Sequence, residues 1–196
     1  MNDQVQRKNL AKKSSGEPKK EYQKVRIKDT EFCVGDTVQI LVNENEYSYG
    51  TIERIWWHQR RGKPKAEIRA YFKPKDLFEN TEIFSEAELF DSNLVQTIDI
   101  ESIEGKVLVL EFQTYYQEDY WEENIFFSRA KWNTKTRQLE PPIKDWMKVC
   151  ICNQIFNPDK QYSYCDKCGS FFHSECVEEA AKEGKIYADC PKCPEI

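Results

Sequence analysis

Long hydrophobic runs are missing from this sequence: no stretch approaches the eighteen or so apolar residues of a membrane helix, so a soluble protein with no membrane partner is expected. The N-terminal residues read as neither signal peptide nor apolar span, so the thiols are expected to meet a reducing compartment. There is no Gly-rich phosphate loop, and the Asp and Glu residues fall in no motif. Histidine is scarce, with two residues, and His58 has no partner constellation that sequence identifies, so it reads as a surface or packing residue. These absences leave no candidate catalytic residue, and the chain reads as non-enzymatic. Cysteine is nearly absent before residue 150, where Cys33 stands alone as a buried or incidental free thiol.

The C-terminal segment reverses this scarcity. Cys150, Cys152, Cys165, Cys168, His173, Cys176, Cys190 and Cys193 follow one another as four short-spaced pairs: C-x-C, C-x2-C, H-x2-C and C-x2-C. Structural Zn²⁺ takes four Cys or His donors in a tetrahedron, and a short-spaced pair lets one turn of backbone supply two of them. Eight donors make two closed sites, hence two structural Zn²⁺ ions with no open position for a substrate water. A disulfide framework is the alternative and would suit a secreted domain; the histidine in register and the absence of a leader favour metal.

The donor order, four Cys, one His, three Cys, resembles the PHD finger, and so do the aromatic pair Phe171-Phe172 before His173 and the closing Cys190-Pro191-Lys192-Cys193. A RING finger, and with it a ubiquitin ligase, usually places His fourth rather than fifth. The resemblance implies a cross-brace, with one zinc on Cys150, Cys152, His173 and Cys176 and the other on Cys165, Cys168, Cys190 and Cys193. Ser174 is positioned to cap a short helix from Glu175 to about Lys182 that Gly184 ends.

Between 34 and 146 the apolar pattern has period two: Val38, Ile40 and Val42 alternate with their neighbours, as do Ala66, Ile68, Ala70 and Phe72, and Leu108, Leu110 and Phe112. Further strands are expected at 50–57, 94–99 and 125–132, and 77–90 reads as irregular or weakly helical. The architecture expected is mainly β, an antiparallel barrel. Val34-Gly35-Asp36-Thr37-Val38, Ile52-Glu53-Arg54-Ile55, Ile68-Arg69-Ala70-Tyr71-Phe72-Lys73-Pro74, Glu88-Leu89-Phe90 and Ile103-Glu104-Gly105-Lys106 come in the order of the BAH domain, which this segment resembles. A BAH domain followed by a PHD finger is similar to the short plant BAH-PHD histone readers. The expected division is a disordered basic tail at 1–28, a BAH domain at 29–145 and the finger at 146–196, with Trp146 anchoring a stiff Pro141-Pro142 joint.

Charge is uneven. Residues 1–28 carry nine Lys or Arg against three acids, +6, and the other 168 carry 20 against 31, −11, within a net charge of −5. An acidic body disfavours broad attraction to DNA and suits a basic partner such as a histone tail, although acidity also serves solubility. The basic tail's spaced pairs Arg7-Lys8, Lys12-Lys13 and Lys19-Lys20 fit a two-cluster nuclear import signal as well as a merely solvated tail, and non-specific contact with DNA or the nucleosome surface is a third reading.

The PHD resemblance implies a nuclear protein that binds the histone H3 tail with lysine 4 trimethylated. Its methyl-lysine cage would fall on Phe156, Tyr162 and Phe171, in competition with packing around zinc. The tail would add as a strand near 161–164, with Asp166 either meeting its arginine or simply solvated, and carbonyls near 187–189 would hold its N-terminal amine. Phe171 stands where strong binders usually carry Trp, and Val149 where some relatives add an aromatic. The BAH resemblance implies a second cage, built from one aromatic and the first and third members of a W-Y-Y triplet. Here the first falls on Ser48, or on Tyr47 or Tyr49 if the register slips by one, and the triplet reads Ala70-Tyr71-Phe72, so that Tyr47, Tyr49, Tyr71 and Phe72 are the candidates. Without the Trp face the module reads better as a protein-binding platform, which leaves a scaffold subunit holding other chromatin-complex proteins as the alternative function.

Overall fold

A computed structural model describes residues 20–58, 62–117, 122–182, 190, 192 and 193. Period two dominates it as the sequence predicts. Thr37–Asn43, Glu46–His58, Lys63–Phe72 and Phe90–Asp99 run antiparallel, each hydrogen-bonded to the next. Ile103–Lys106 extends the sheet beyond Thr37–Asn43, while Lys131–Asn133 and Gln138–Glu140 extend it beyond Phe90–Asp99. The inward members of the alternation, Val38, Ile40, Ile52, Ile55, Ala66 and Ile68, close on Phe32, Ile100 and Ile103 as the principal core.

A bulge between Ile52 and Arg54 inserts Glu53 as an extra residue, so that Ile52 and Ile55 pair with Ile68 and Ala66 on one face although three positions apart. Gly50 has no room for a side chain: a Cβ there would lie 2.0 Å from Ile68 Cγ2 and 2.9 Å from the Arg69 carbonyl oxygen.

Two features depart from the sequence expectation. The polar, Lys-rich composition of 1–28 predicts disorder throughout, but Glu21–Tyr22 pairs with Glu46–His58, and Lys24–Ile27 pairs with Thr30–Cys33. Val25 and Ile27 alternate with Lys24 and Arg26, and their side chains pack on the principal core. Phe112, expected to end a strand, instead begins the helix Phe112–Gln117. The reason is topological: Leu108–Glu111 pairs in parallel with Ile125–Ser128, and parallel neighbours need a crossover rather than a tight turn. Most of the expected basic tail, residues 1–19, together with Gly184 and 187–189, lies outside the described residues.

Trp146 ends the β segment, buried with Phe84, Phe90, Ala130 and Leu139, and its indole N–H donates to the Pro141 carbonyl at 3.0 Å. Beyond it come two small hairpins, Lys148–Val149 with Gln154–Ile155 and Ser163–Cys165 with Ser170–Phe172, then the helix Ser174–Lys182. This C-terminal unit docks on the sheet through polar and aromatic contacts. The Asn157 side-chain amide donates to the carbonyls of Phe84 and Glu82 at 2.9 and 3.3 Å. Asp159 accepts from the Ser85 hydroxyl at 2.7 Å and the Glu86 backbone N–H at 2.8 Å. No described helix is long and apolar enough to cross a membrane.

Candidate metal centres and aromatic surface

Tight turns bring the donors of each pair together. Cys150 and Asn153 take left-handed backbone, φ 66° and 55°, which folds C-x-C into the turn between Lys148–Val149 and Gln154–Ile155. Gly169, φ 66°, closes the turn after Cys165 and Cys168, and its N–H donates to the Cys165 carbonyl at 2.8 Å. His173 follows the strand Ser170–Phe172, and Cys176 lies in the first turn of the next helix.

Two donor sets result, Cys150, Cys152, His173 and Cys176, and Cys165, Cys168, Cys190 and Cys193, with the ligand atoms of each within 4.8 Å of one another. Each set could hold one metal ion, in the cross-brace that the finger resemblance implies. A tetrahedron with metal–sulfur bonds of about 2.3 Å has sulfur–sulfur edges of about 3.8 Å. Cys165 and Cys193 sulfurs are 3.8 Å apart, Cys168 and Cys190 are 3.6 Å apart, and His173 Nδ1 is 3.4 and 3.8 Å from the sulfurs of Cys152 and Cys176. All eight cysteines are free thiols, and the spacings are far beyond a disulfide bond. Burial and the neighbouring Cys150 sulfur push Cys176 up to about 12, and hydrogen bonding to Cys190 does the same for Cys193. Such sulfurs cannot all ionise without a cation among them, so the donor chemistry fits Zn²⁺.

Beside the first set lies an aromatic cluster. Phe156, Tyr162 and Phe171 do come together: Phe156 stacks on Tyr162 with centroids 4.9 Å apart and meets Phe171 at 5.6 Å, while Tyr162 stands at 73° to Phe171 at 6.2 Å. Their exposure differs sharply. Phe156 is 3% exposed, covered by Phe112 at 6.0 Å and Tyr116 at 5.1 Å from the helix Phe112–Gln117. It is therefore the floor of the cluster and not an open wall, and rings stacked as Phe156 and Tyr162 are hold nothing between them. Tyr162 is pinned by its hydroxyl, which accepts the Asn157 backbone N–H at 3.0 Å. Phe171 and Tyr162 remain half-buried, and Tyr164, 5.0 Å from Phe171, is 56% exposed. Asp166 is exposed in the turn between Cys165 and Cys168, Phe172 is buried, and Val149 is buried.

The second group of aromatic candidates divides between two packing clusters. Tyr47, Tyr49 and Tyr71 pack around Leu89 and Val107, whereas Phe72 packs with Phe84 and Phe90 in a separate cluster. Tyr49 pairs with Tyr71 across the sheet, and the register of Lys63–Phe72 against Phe90–Asp99 shifts between Arg69 and Tyr71. Even so, Tyr49, Tyr71 and Phe72 all border one cavity of about 170 Å³, together with Ser48 and Ala70, whose other walls include Ile40, Ile68, Ile98, Asp76 and Gln96.

Sequence reasoning missed the residues that join the two units. Arg129 forms a buried bidentate pair with Glu88, Nε to Oε1 at 2.6 Å and Nη2 to Oε2 at 2.8 Å, with 5% and 0% of the two side chains exposed. Its remaining nitrogen donates to the Phe156 carbonyl at 2.8 Å, and its guanidinium carbon lies 4.6 Å from the ring centres of both Phe112 and Trp146. Nothing local signals this pair, whose members are 41 residues apart.

A curled β sheet carrying a two-centre Cys/His finger on its flank is the class that this geometry defines. The chain belongs to the BAH domain family, whose family model matches residues 30–143. It is 28% identical over 186 residues to the chromatin remodeling protein SHL of Arabidopsis thaliana, covering 90% of this chain and 79% of that one. It is also 28% identical over 137 residues to the chromatin remodeling protein EBS of Arabidopsis thaliana, covering 66% of this chain and just over half, 57%, of that protein. Among solved structures the yeast Rsc2 BAH domain shares the fold, with TM-score 0.50 and 17% identity over 61% of this chain and 53% of that one.

Proposed function

We propose that this protein is a non-enzymatic chromatin reader in the nucleus, which binds the N-terminal tail of histone H3 trimethylated on lysine 4 through its zinc-loaded finger. The relationship to two chromatin remodeling proteins supports the chromatin setting. The observation that carries the tail reading is an open strand edge beside partly exposed aromatic rings. Ser163–Cys165 pairs on one side with Ser170–Phe172 and with no other strand among the described residues, so an extended peptide can add there through backbone hydrogen bonds. Tyr162, Tyr164 and Phe171 lie along that hairpin, and each ring face offered to a quaternary ammonium contributes on the order of 0.5–2 kcal/mol. Asp166, exposed at the end of the same strand, is placed to meet a basic side chain of the tail.

Calorimetric titration of the full chain with H3 tail peptides, unmodified and trimethylated at lysine 4, tests this. Tighter binding of the methylated peptide is expected. Equal affinities would remove the aromatic site from the account, and binding of neither peptide would leave the scaffold reading, in which both modules hold other proteins of a chromatin complex.

A further inference from the structure

The site just proposed lacks a wall. Of the three rings that ligand offsets single out, Phe156 is buried, and one face of Tyr162 is covered by it. The ring covering Phe156 from outside belongs to the other half of the molecule. Tyr116, in the last turn of the helix Phe112–Gln117 within the BAH segment, is 37% exposed and stands at 81° to Phe156 and at 82° to Phe171, with centroids 5.1 and 5.8 Å away. Tyr162 approaches the same Phe171 ring at 73°. Phe171 is thus flanked by two rings nearly perpendicular to it, one from each unit, with the exposed Tyr164 beside it. Rings that meet at right angles form a corner in which a cation can face more than one π surface.

We propose that Tyr116 of the BAH domain is a wall of the finger's methyl-lysine site, so that the quaternary ammonium is held by Tyr116 and Phe171 together and the finger reads the mark only while docked on the sheet. This rests on the methyl-lysine reading given above. Burial, and then the neighbouring Tyr164 phenol, hold the Tyr116 hydroxyl above its ordinary range, so the ring is neutral at physiological pH and acts through its face. Its position is set by packing: Phe112, one turn earlier, stacks on it at 6.4 Å and also touches Phe127 and Phe156.

The test uses the full zinc-loaded chain, the two H3 peptides and two variants. Tyr116→Leu keeps apolar volume against Phe156 but has no π face; Tyr116→Phe keeps the face and drops the hydroxyl. The leucine variant is expected to lose about tenfold in affinity for the trimethylated peptide while binding the unmodified one within about twofold of wild type. The phenylalanine variant is expected to bind both as wild type does. A leucine variant that keeps the wild-type preference for the methylated peptide, or that weakens both peptides equally, overturns the proposal while the methyl-lysine reading stands. A wild-type chain that does not distinguish the peptides overturns both.

Discussion

Arg129→Met should break the joint between the two units. The substitution keeps an unbranched apolar stem among Phe112, Phe127 and Trp146 but strands the Glu88 carboxylate, whose side chain is fully buried, and frees the Phe156 carbonyl. Removing one partner of a buried ion pair costs about 3–5 kcal/mol, because the other charge stays desolvated. For a chain of this length each kcal/mol moves the melting temperature by about 2–4 °C, so a fall of roughly 6–20 °C is expected. Burial pushes the Glu88 carboxyl above its ordinary range against the opposing pull of Arg129. Without Arg129 that upward shift grows. A group raised on folding takes up its proton first in the folded state, so stability is gained as pH falls; the deficit of the variant should be smaller at pH 5 than at pH 8. The double variant Glu88→Leu/Arg129→Met, with neither charge, should recover most of the loss. Urea unfolding followed by tryptophan fluorescence reads all three. A single-variant deficit under about 1 kcal/mol, or a double variant as unstable as the two singles added, would refute the buried clamp.

Two further outcomes are expected. The purified chain should carry two equivalents of zinc, one per donor set; chelation should abolish hydrogen-exchange protection across 163–172 while Glu46–His58 stays protected, since structural zinc supplies on the order of 10 kcal/mol to a finger's folding, and unchanged protection would exclude a metal-held finger. Gly50→Ala should destabilise the sheet by about 2–3 kcal/mol in the same urea assay, because the new Cβ meets backbone at 2.9 Å as well as the Ile68 methyl; a loss under about 0.5 kcal/mol would contradict that close approach.

The two Cys/His clusters that could hold a metal are legible in the sequence, because such clusters are a matter of residue type and short spacing and tight turns do the rest. The central strands were legible for a similar reason, since alternation such as Val38 and Ile40 or Ala66 and Ile68 is local. What the sequence could not settle are properties set by distant partners. Period two fails wherever a bulge inserts a residue, as at Glu53, and it does not say which face turns inward: Val107 is buried while Leu108 is exposed. Fixed offsets from the Cys/His donors single out Phe156, Tyr162 and Phe171, and the structure brings these three rings together. Whether each ring is open depends on a helix some forty residues earlier, and no offset within the finger encodes it. The same holds for Tyr47, Tyr49 and Tyr71, which pack around Leu89 and Val107 while Phe72 packs with Phe84 and Phe90.

The character of the joint bears on what it is for. Its polar members are satisfied in pairs, Arg129 with Glu88 and Phe156, Asn157 with Phe84 and Glu82, Asp159 with Ser85 and Glu86. Buried polar contacts of this kind add little net stability over apolar packing, but they permit few alternative dockings, so they fix an orientation. Orientation is what a composite site needs, because a ring displaced by an ångström or two no longer faces the cation. PHD fingers that bind trimethylated lysine strongly usually carry Trp where this chain has Phe171, and the smaller ring offers less π surface of its own. In the proposed site Tyr116, held at 82° to it, would supply part of that surface from the sheet. Loosening the joint at Arg129 should therefore weaken methyl discrimination in Arg129→Met even at temperatures where both units remain folded, a loss that packing energy alone would not produce.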